Sequence, residues 1–311
     1  MLVIFESILP VFLLVLAGAA LRRSPLIDRN FWPGLEQFGF YVLFPALLFV
    51  TLAKADFSGM AVASVAAAAV VALLAMSALV LGLWPLMKRT GTGAPAFTSV
   101  FQTATRWNAF MALAVAEKIA GAEGLAIVAL IMAAIVIPVN FINVAVLLWF
   151  SGAERNFTGF LVRILSNPII IGCGLGIAVN LTGFGLYEPA MTAIDLLSRA
   201  SLSLGLIMVG AGLRISDALK PGGSVLLAVA LKLLVFPALM VLAGLALGVG
   251  GTALIMLALG GAVPTAMNGY LLARKMGGDA ELYAAASTVQ TAAAIFTLPA
   301  ILALTAQLAG G

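Results

Sequence analysis

The chain has 311 residues, 63% hydrophobic and 9% charged, with a net charge of +4 and a mean hydropathy of +1.19. That composition excludes an ordinary water-soluble domain, and the dispersal of the sixteen Lys and Arg residues excludes a nucleic-acid-binding patch. The absence of histidine removes the commonest proton shuttle and metal ligand, and the lone Cys173 permits no intramolecular disulfide.

A bilayer crossing needs about 20 apolar residues, and the chain offers ten such runs separated by polar punctuation. Span 1 covers Leu2–Leu21; it carries Glu6 before the apolar run and Arg22-Arg23 after it. A secretory signal has the reverse order, so a retained first span is expected. Span 2 covers Gly34–Ala53, span 3 Met60–Met87, span 4 Ala94–Ala120 and span 5 Glu123–Phe150. Span 6 covers Gly159–Leu181, span 7 Pro189–Leu213, span 8 Gly222–Val249, span 9 Thr252–Met276 and span 10 Glu281–Leu308.

Eleven of the sixteen basic residues fall in the loops after odd-numbered spans: Arg22, Arg23, Arg29, Lys88, Arg89, Arg155, Arg163, Arg214, Lys220, Arg274 and Lys275. The opposite loops hold only Lys54 and Lys118. The positive-inside rule therefore expects those loops in the cytoplasm and both termini on the extracytoplasmic side. A compact multi-pass chain of this kind suits a bacterial inner membrane.

Two spans depart from lipid-facing character. The middle of span 4 reads Gln102, Thr103, Thr105, Arg106, Trp107, Asn108, and an arginine at a helix centre costs roughly 2.5–3.5 kcal/mol on insertion scales. Span 9 runs to Gly260-Gly261, meets Pro264 and continues through Asn268. Proline removes a backbone donor and paired glycines weaken a helix, so both spans are expected to be interrupted near mid-membrane. Lys118 and Gly121 at the end of span 4 align with Lys275 and Gly278 at the end of span 9, at an offset of 157 (275 − 118 and 278 − 121). Pro10 and Pro168 repeat at 158 (168 − 10), and Pro138 and Pro299 at 161 (299 − 138). The expected architecture is an all-α membrane protein of two inverted five-helix repeats, residues 1–150 and 151–311, with the site at their interface.

Several residues carry candidate chemistry. Asn108 offers a donor and an acceptor and either contacts substrate or caps the broken helix. Arg106 suits a carboxylate through its planar fork, or pairs with Asp195 or Glu6. Asp195 and Arg199 stand four apart on span 7 and form a self-neutralising pair, unless Asp195 carries a coupling proton. Lys232, midway along span 8 beside Pro237, is a second anion-binding cation or snorkels to the surface. Pro264 and Asn268 belong to the span 9 interruption. Gln102, Gln290, Asn140 and Asn143 line the site or make interhelical hydrogen bonds. No pattern for a cofactor or a metal is present, and none is expected.

The chain also resembles a known family. Phe44-Pro45-Ala46-Leu47-Leu48-Phe49, Arg106-Trp107-Asn108-Ala109-Phe110, Asn167-Pro168, Gly210-Ala211-Gly212-Leu213, Pro264-Thr265-Ala266 with Ala273, and Thr297-Leu298-Pro299 resemble the auxin efflux carrier family, in order along the whole chain. The resemblance implies ten helices, crossing broken helices 4 and 9, a transport domain (spans 3–5 and 8–10), and a scaffold domain (spans 1, 2, 6 and 7) that dimerises in many members. It also implies transport of a small carboxylate. Crossovers in the plant carriers hold proline close to asparagine; here span 9 has Pro264 and Asn268, while span 4 has Trp107 before Asn108.

Counting Arg106, Arg199 and Lys232 against Asp195 leaves the membrane interior positive, which favours an anionic substrate. The functional expectation is a secondary transporter of a small mono- or dicarboxylate working by alternating access. The same-class alternative is a sodium-coupled carrier like the bile-acid symporters, for which Glu6, Gln290 and Thr291 are the available oxygen ligands. A membrane enzyme lacks every nucleophile–base motif, and a sensor lacks an appended signalling domain.

Overall fold

Inside a bilayer every peptide group must be satisfied within the protein, and an apolar run does so by forming a helix. The computed structural model describes residues 2–57, 61–151, 166–183, 185–219 and 221–309, and among these it is helical with no strand. Seven helices are long and apolar enough to cross a membrane: Ile4–Arg23, Phe31–Ala53, Val62–Arg89, Ala94–Phe150, Glu188–Gly212, Gly223–Ala246 and Ala280–Ala309. Two shorter apolar helices, Pro168–Thr182 and Gly251–Ala262, belong to spans 6 and 9. The expected start of span 6, with Arg155 and Arg163, lies outside the described residues.

Spans 4 and 5 form one continuous hydrophobic stretch in the chain but cannot be one crossing. The helix Ala109–Ser151 has 43 residues, roughly 65 Å at 1.5 Å per residue, about twice the hydrocarbon thickness. It turns back at Ala120-Gly121, where Gly121 takes φ +54° and ψ −139°, a left-handed conformation that glycine adopts without strain. The reversal brings Asn143 within 3.2 Å of Thr105, 38 positions earlier.

Proline explains the local geometry of spans 2 and 8. Pro45 and Pro237 offer no N–H, so a carbonyl one turn earlier loses its partner. Both helices widen into a π turn just ahead, over Gly39–Leu43 and Leu231–Val235, with Phe44 N–H donating to Gly39 and Phe236 N–H to Leu231. Lys232 lies inside the second of these turns. Pro10, Pro138 and Pro299, by contrast, sit within continuous helices.

Two sets of helices pack tightly among themselves. Span 1 lies along span 7, span 2 along span 6, and span 7 also packs on span 2. Glycine allows these approaches: a Cβ at Gly172 would meet the Pro45 backbone, and one at Gly210 would collide with the Val15 carbonyl. Gly210→Ala is expected to push spans 1 and 7 apart and lower stability by about 1–3 kcal/mol. Thermal unfolding in detergent measures this, and an unchanged midpoint would mean the spans separate freely. In the second set, span 8 packs on spans 3 and 9, span 9 on span 10, and span 3 on the long helix of span 5.

Candidate functional site

The two interrupted spans meet. Helix Ala94–Thr105 ends at Arg106 and helix Gly251–Ala262 at Val263, both extended, with ψ 158° and 146°. The chain resumes helix at Ala109 and at Gly269. Between the breaks Asn108 N–H donates to the Pro264 carbonyl at 2.7 Å. Pro264 accounts for the break in span 9, but span 4 has no proline or glycine there. Its break is held by this tertiary bond and by Asn108 Oδ1, which accepts Met111 N–H at 3.2 Å and caps the resumed helix. The capping bond expected of Asn108 is present.

Gly260 and Gly261 remain helical and are explained by close approach rather than by loosening of the helix. The Trp107 indole lies against Gly260, and Gly261 packs on the backbone of Phe236 and Pro237. A chain of contacts thus runs from Trp107 through the glycine pair to Phe236, whose ring lies 4.4 Å from the Lys232 ammonium. Arg106 follows the end of the first half-helix directly before Trp107, and Lys232 lies at the other end of this chain of contacts.

Gln290 ties the neighbourhood together. Its Oε1 accepts Thr265 N–H at 2.9 Å, and its Nε2 donates to the Thr103 carbonyl at 3.2 Å and the Ala228 carbonyl at 3.1 Å. One side chain of span 10 therefore holds spans 4, 8 and 9. Tyr283, which the sequence did not single out, adds a second tie: its hydroxyl donates to the Ala266 carbonyl at 2.5 Å and meets Thr265 Oγ1 at 3.1 Å. Nothing in the spacing marks it, because it stands in an apolar run of ordinary character. Asn143 exchanges hydrogen bonds with Thr105 and donates to the Val139 carbonyl, so it is a structural partner of span 4.

The electrostatics are one-sided. Arg106 is 8% exposed; its Nη1 donates to Asn140 Oδ1 at 3.2 Å, and its Nε has no hydrogen-bond partner. Lys232 is fully buried, with Nζ unpartnered apart from the Phe236 ring. Snorkelling is therefore not its solution. Gln102, also fully buried, has neither amide atom engaged. Neither cation makes an ion pair among the described residues.

Four expected site residues lie elsewhere. Asp195 is bound by Arg199 at 2.7 Å and by Lys54 at 3.1 Å, with Arg199 and Lys54 side chains 77% and 54% exposed. The self-neutralising pair expected of Asp195 and Arg199 is present, with Lys54 as a third member. Glu6 is exposed on span 1 and does not face Arg106. Asn268 is exposed at the far end of the span 9 break and makes no side-chain cap. Among the described residues the buried charged side chains are Arg106 and Lys232.

Two interrupted helices joined at their breaks, with buried polar and charged side chains along them, are an arrangement found in membrane carriers. Curated proteins provide no match to the chain. A family model described as membrane transport protein matches residues 3–302. The chain belongs to that family, the membrane transport proteins of the auxin efflux carrier type, and is a multi-pass membrane protein.

Proposed function

We propose that the protein is a secondary transporter of a small organic anion, a mono- or dicarboxylate, moved by alternating access. The observation that carries this reading is the pair of buried cations, Arg106 and Lys232, with no acidic partner among the described residues. A carboxylate about 4 Å from one such charge gains about 4 kcal/mol at an effective dielectric constant of about 20. That is of the same order as the roughly 2.5–3.5 kcal/mol cost of the arginine on insertion scales, before the desolvation of the anion itself is counted.

The mechanism follows from the two helix sets. Spans 1, 2, 6 and 7 form the scaffold, through which two copies associate, and spans 3–5 and 8–10 form the transport domain. The repeats are residues 1–150 and 151–311. They are supported by half-helices of 12 residues each, Ala94–Thr105 and Gly251–Ala262, separated by the same 157 residues (251 − 94 and 262 − 105). Rocking of one set against the other opens the crossover to either side in turn, with both termini extracytoplasmic in an inner membrane. Less supports the sodium-coupled alternative: Gln290 and Thr291 already bond to backbone groups, and Glu6 is exposed on span 1.

Thermal shift of the purified protein against a panel of small carboxylates tests the reading. A bound acid is expected to raise the melting temperature with concentration, by about 2.7 kcal/mol of stabilisation at a hundredfold excess over Kd. The shift should vanish in Arg106→Gln and shrink in Lys232→Met. Shifts that persist unchanged in both variants, or appear only with neutral or cationic compounds, would reject the anion site.

A further inference from the structure

Gln102 is the one buried side-chain amide among the described residues with neither its donor nor its acceptor partnered. It precedes Arg106 by one turn, so the two share a face of span 4. Ser99 lies one turn earlier on that face, fully buried, and its Oγ is also unpartnered. The other buried amides near the crossover are engaged, Gln290 with three backbone groups and Asn143 with Thr105 and Val139. A buried amide with neither atom engaged is disfavoured, and structural packing alone would be served better by leucine.

What would match Gln102 is set by hydrogen-bond chemistry. A carboxylate accepts only, so it can take the Nε2 protons but leaves Oε1 without a donor. An ammonium donor would be repelled by Arg106, one turn away. The remaining match is a neutral group that both donates and accepts, a hydroxyl or an amide. We propose that Gln102, with Ser99 beside it, is a specificity-determining residue that reads such a neutral group carried by the substrate next to its carboxylate. The inference rests on the anion reading of the site.

Isothermal titration of the purified protein with matched acids, propionate against lactate and succinate against malate, tests it. The hydroxylated member should bind about ten- to a hundredfold more tightly to wild type, because the plain acid leaves Gln102 enclosed and unmatched. Gln102→Leu should bring both members of each pair to similar affinity, and Ser99→Ala should narrow the gap. Equal binding of the pairs to wild type would overturn the proposal even where Gln102→Leu fails to fold, and so would a preference that survives Gln102→Leu. Binding of neither member of either pair would defeat the anion reading, and this inference with it.

Discussion

Transport by a carrier with Gly212→Cys and Met267→Cys, in a Cys173→Ser background, is expected to stop on oxidation and return on reduction. Gly212 closes span 7 and Met267 lies in the span 9 interruption, so the pair joins the two helix sets. A Cβ built at Gly212 lies 3.5 Å from Met267 Cβ, at the short end of the roughly 3.5–4.5 Å that a disulfide needs. Beside it, Arg214 stacks over the Tyr270 ring at 4.2 Å, and its N–H donates to Thr288 Oγ1 at 3.1 Å. If alternating access separates the two sets here, a covalent tie holds one conformation. Proteoliposome uptake of the acid that binds best would then fall to the level of empty vesicles, while binding to the locked protein would persist. An oxidised carrier running at the reduced rate would show that this contact never opens, and failure of the two cysteines to link would show that it does not form in the membrane.

Gln290→Leu is expected to cost more stability than any change at the anion-facing residues. The substitution keeps the volume but strands Thr265 N–H and the Thr103 carbonyl, and it removes a second bond from the Ala228 carbonyl, which keeps Leu231 N–H. Each buried orphan costs about 1–3 kcal/mol, against a total stability of about 5–15 kcal/mol for ordinary proteins. The unfolding midpoint should fall by roughly 10 °C or more, or the protein should fail to accumulate. Arg106→Gln, by comparison, removes a charge that has only one side-chain partner, Asn140, so it should weaken ligand response far more than folding. A Gln290→Leu protein with the wild-type midpoint would mean that spans 4, 8 and 9 find other partners.

The sequence by itself determined the solvent, the helical class and the sites of interruption. A chain this apolar must satisfy its backbone locally, and helices that carry Arg106 or Pro264 at their centres cannot be plain lipid-facing cylinders. The Lys118/Lys275 offset even anticipated the equal half-helices. These features are local, set by composition, by proline's missing donor and by the cost of a buried charge.

Side-chain roles needed the tertiary structure. Asp195 and Lys232 are both charges within apolar spans, yet Asp195 lies in an exposed cluster with Arg199 and with Lys54 from span 2, and Lys232 is sealed beside Phe236. A helix shows a different face every residue, and only its neighbours decide which face meets protein and which meets lipid. The same holds for Gly260-Gly261, which read as a weak point and prove to be where Trp107 and Pro237 come close. It holds also for Asn108, whose bond to Pro264 exists only because two segments more than a hundred and fifty residues apart are brought together.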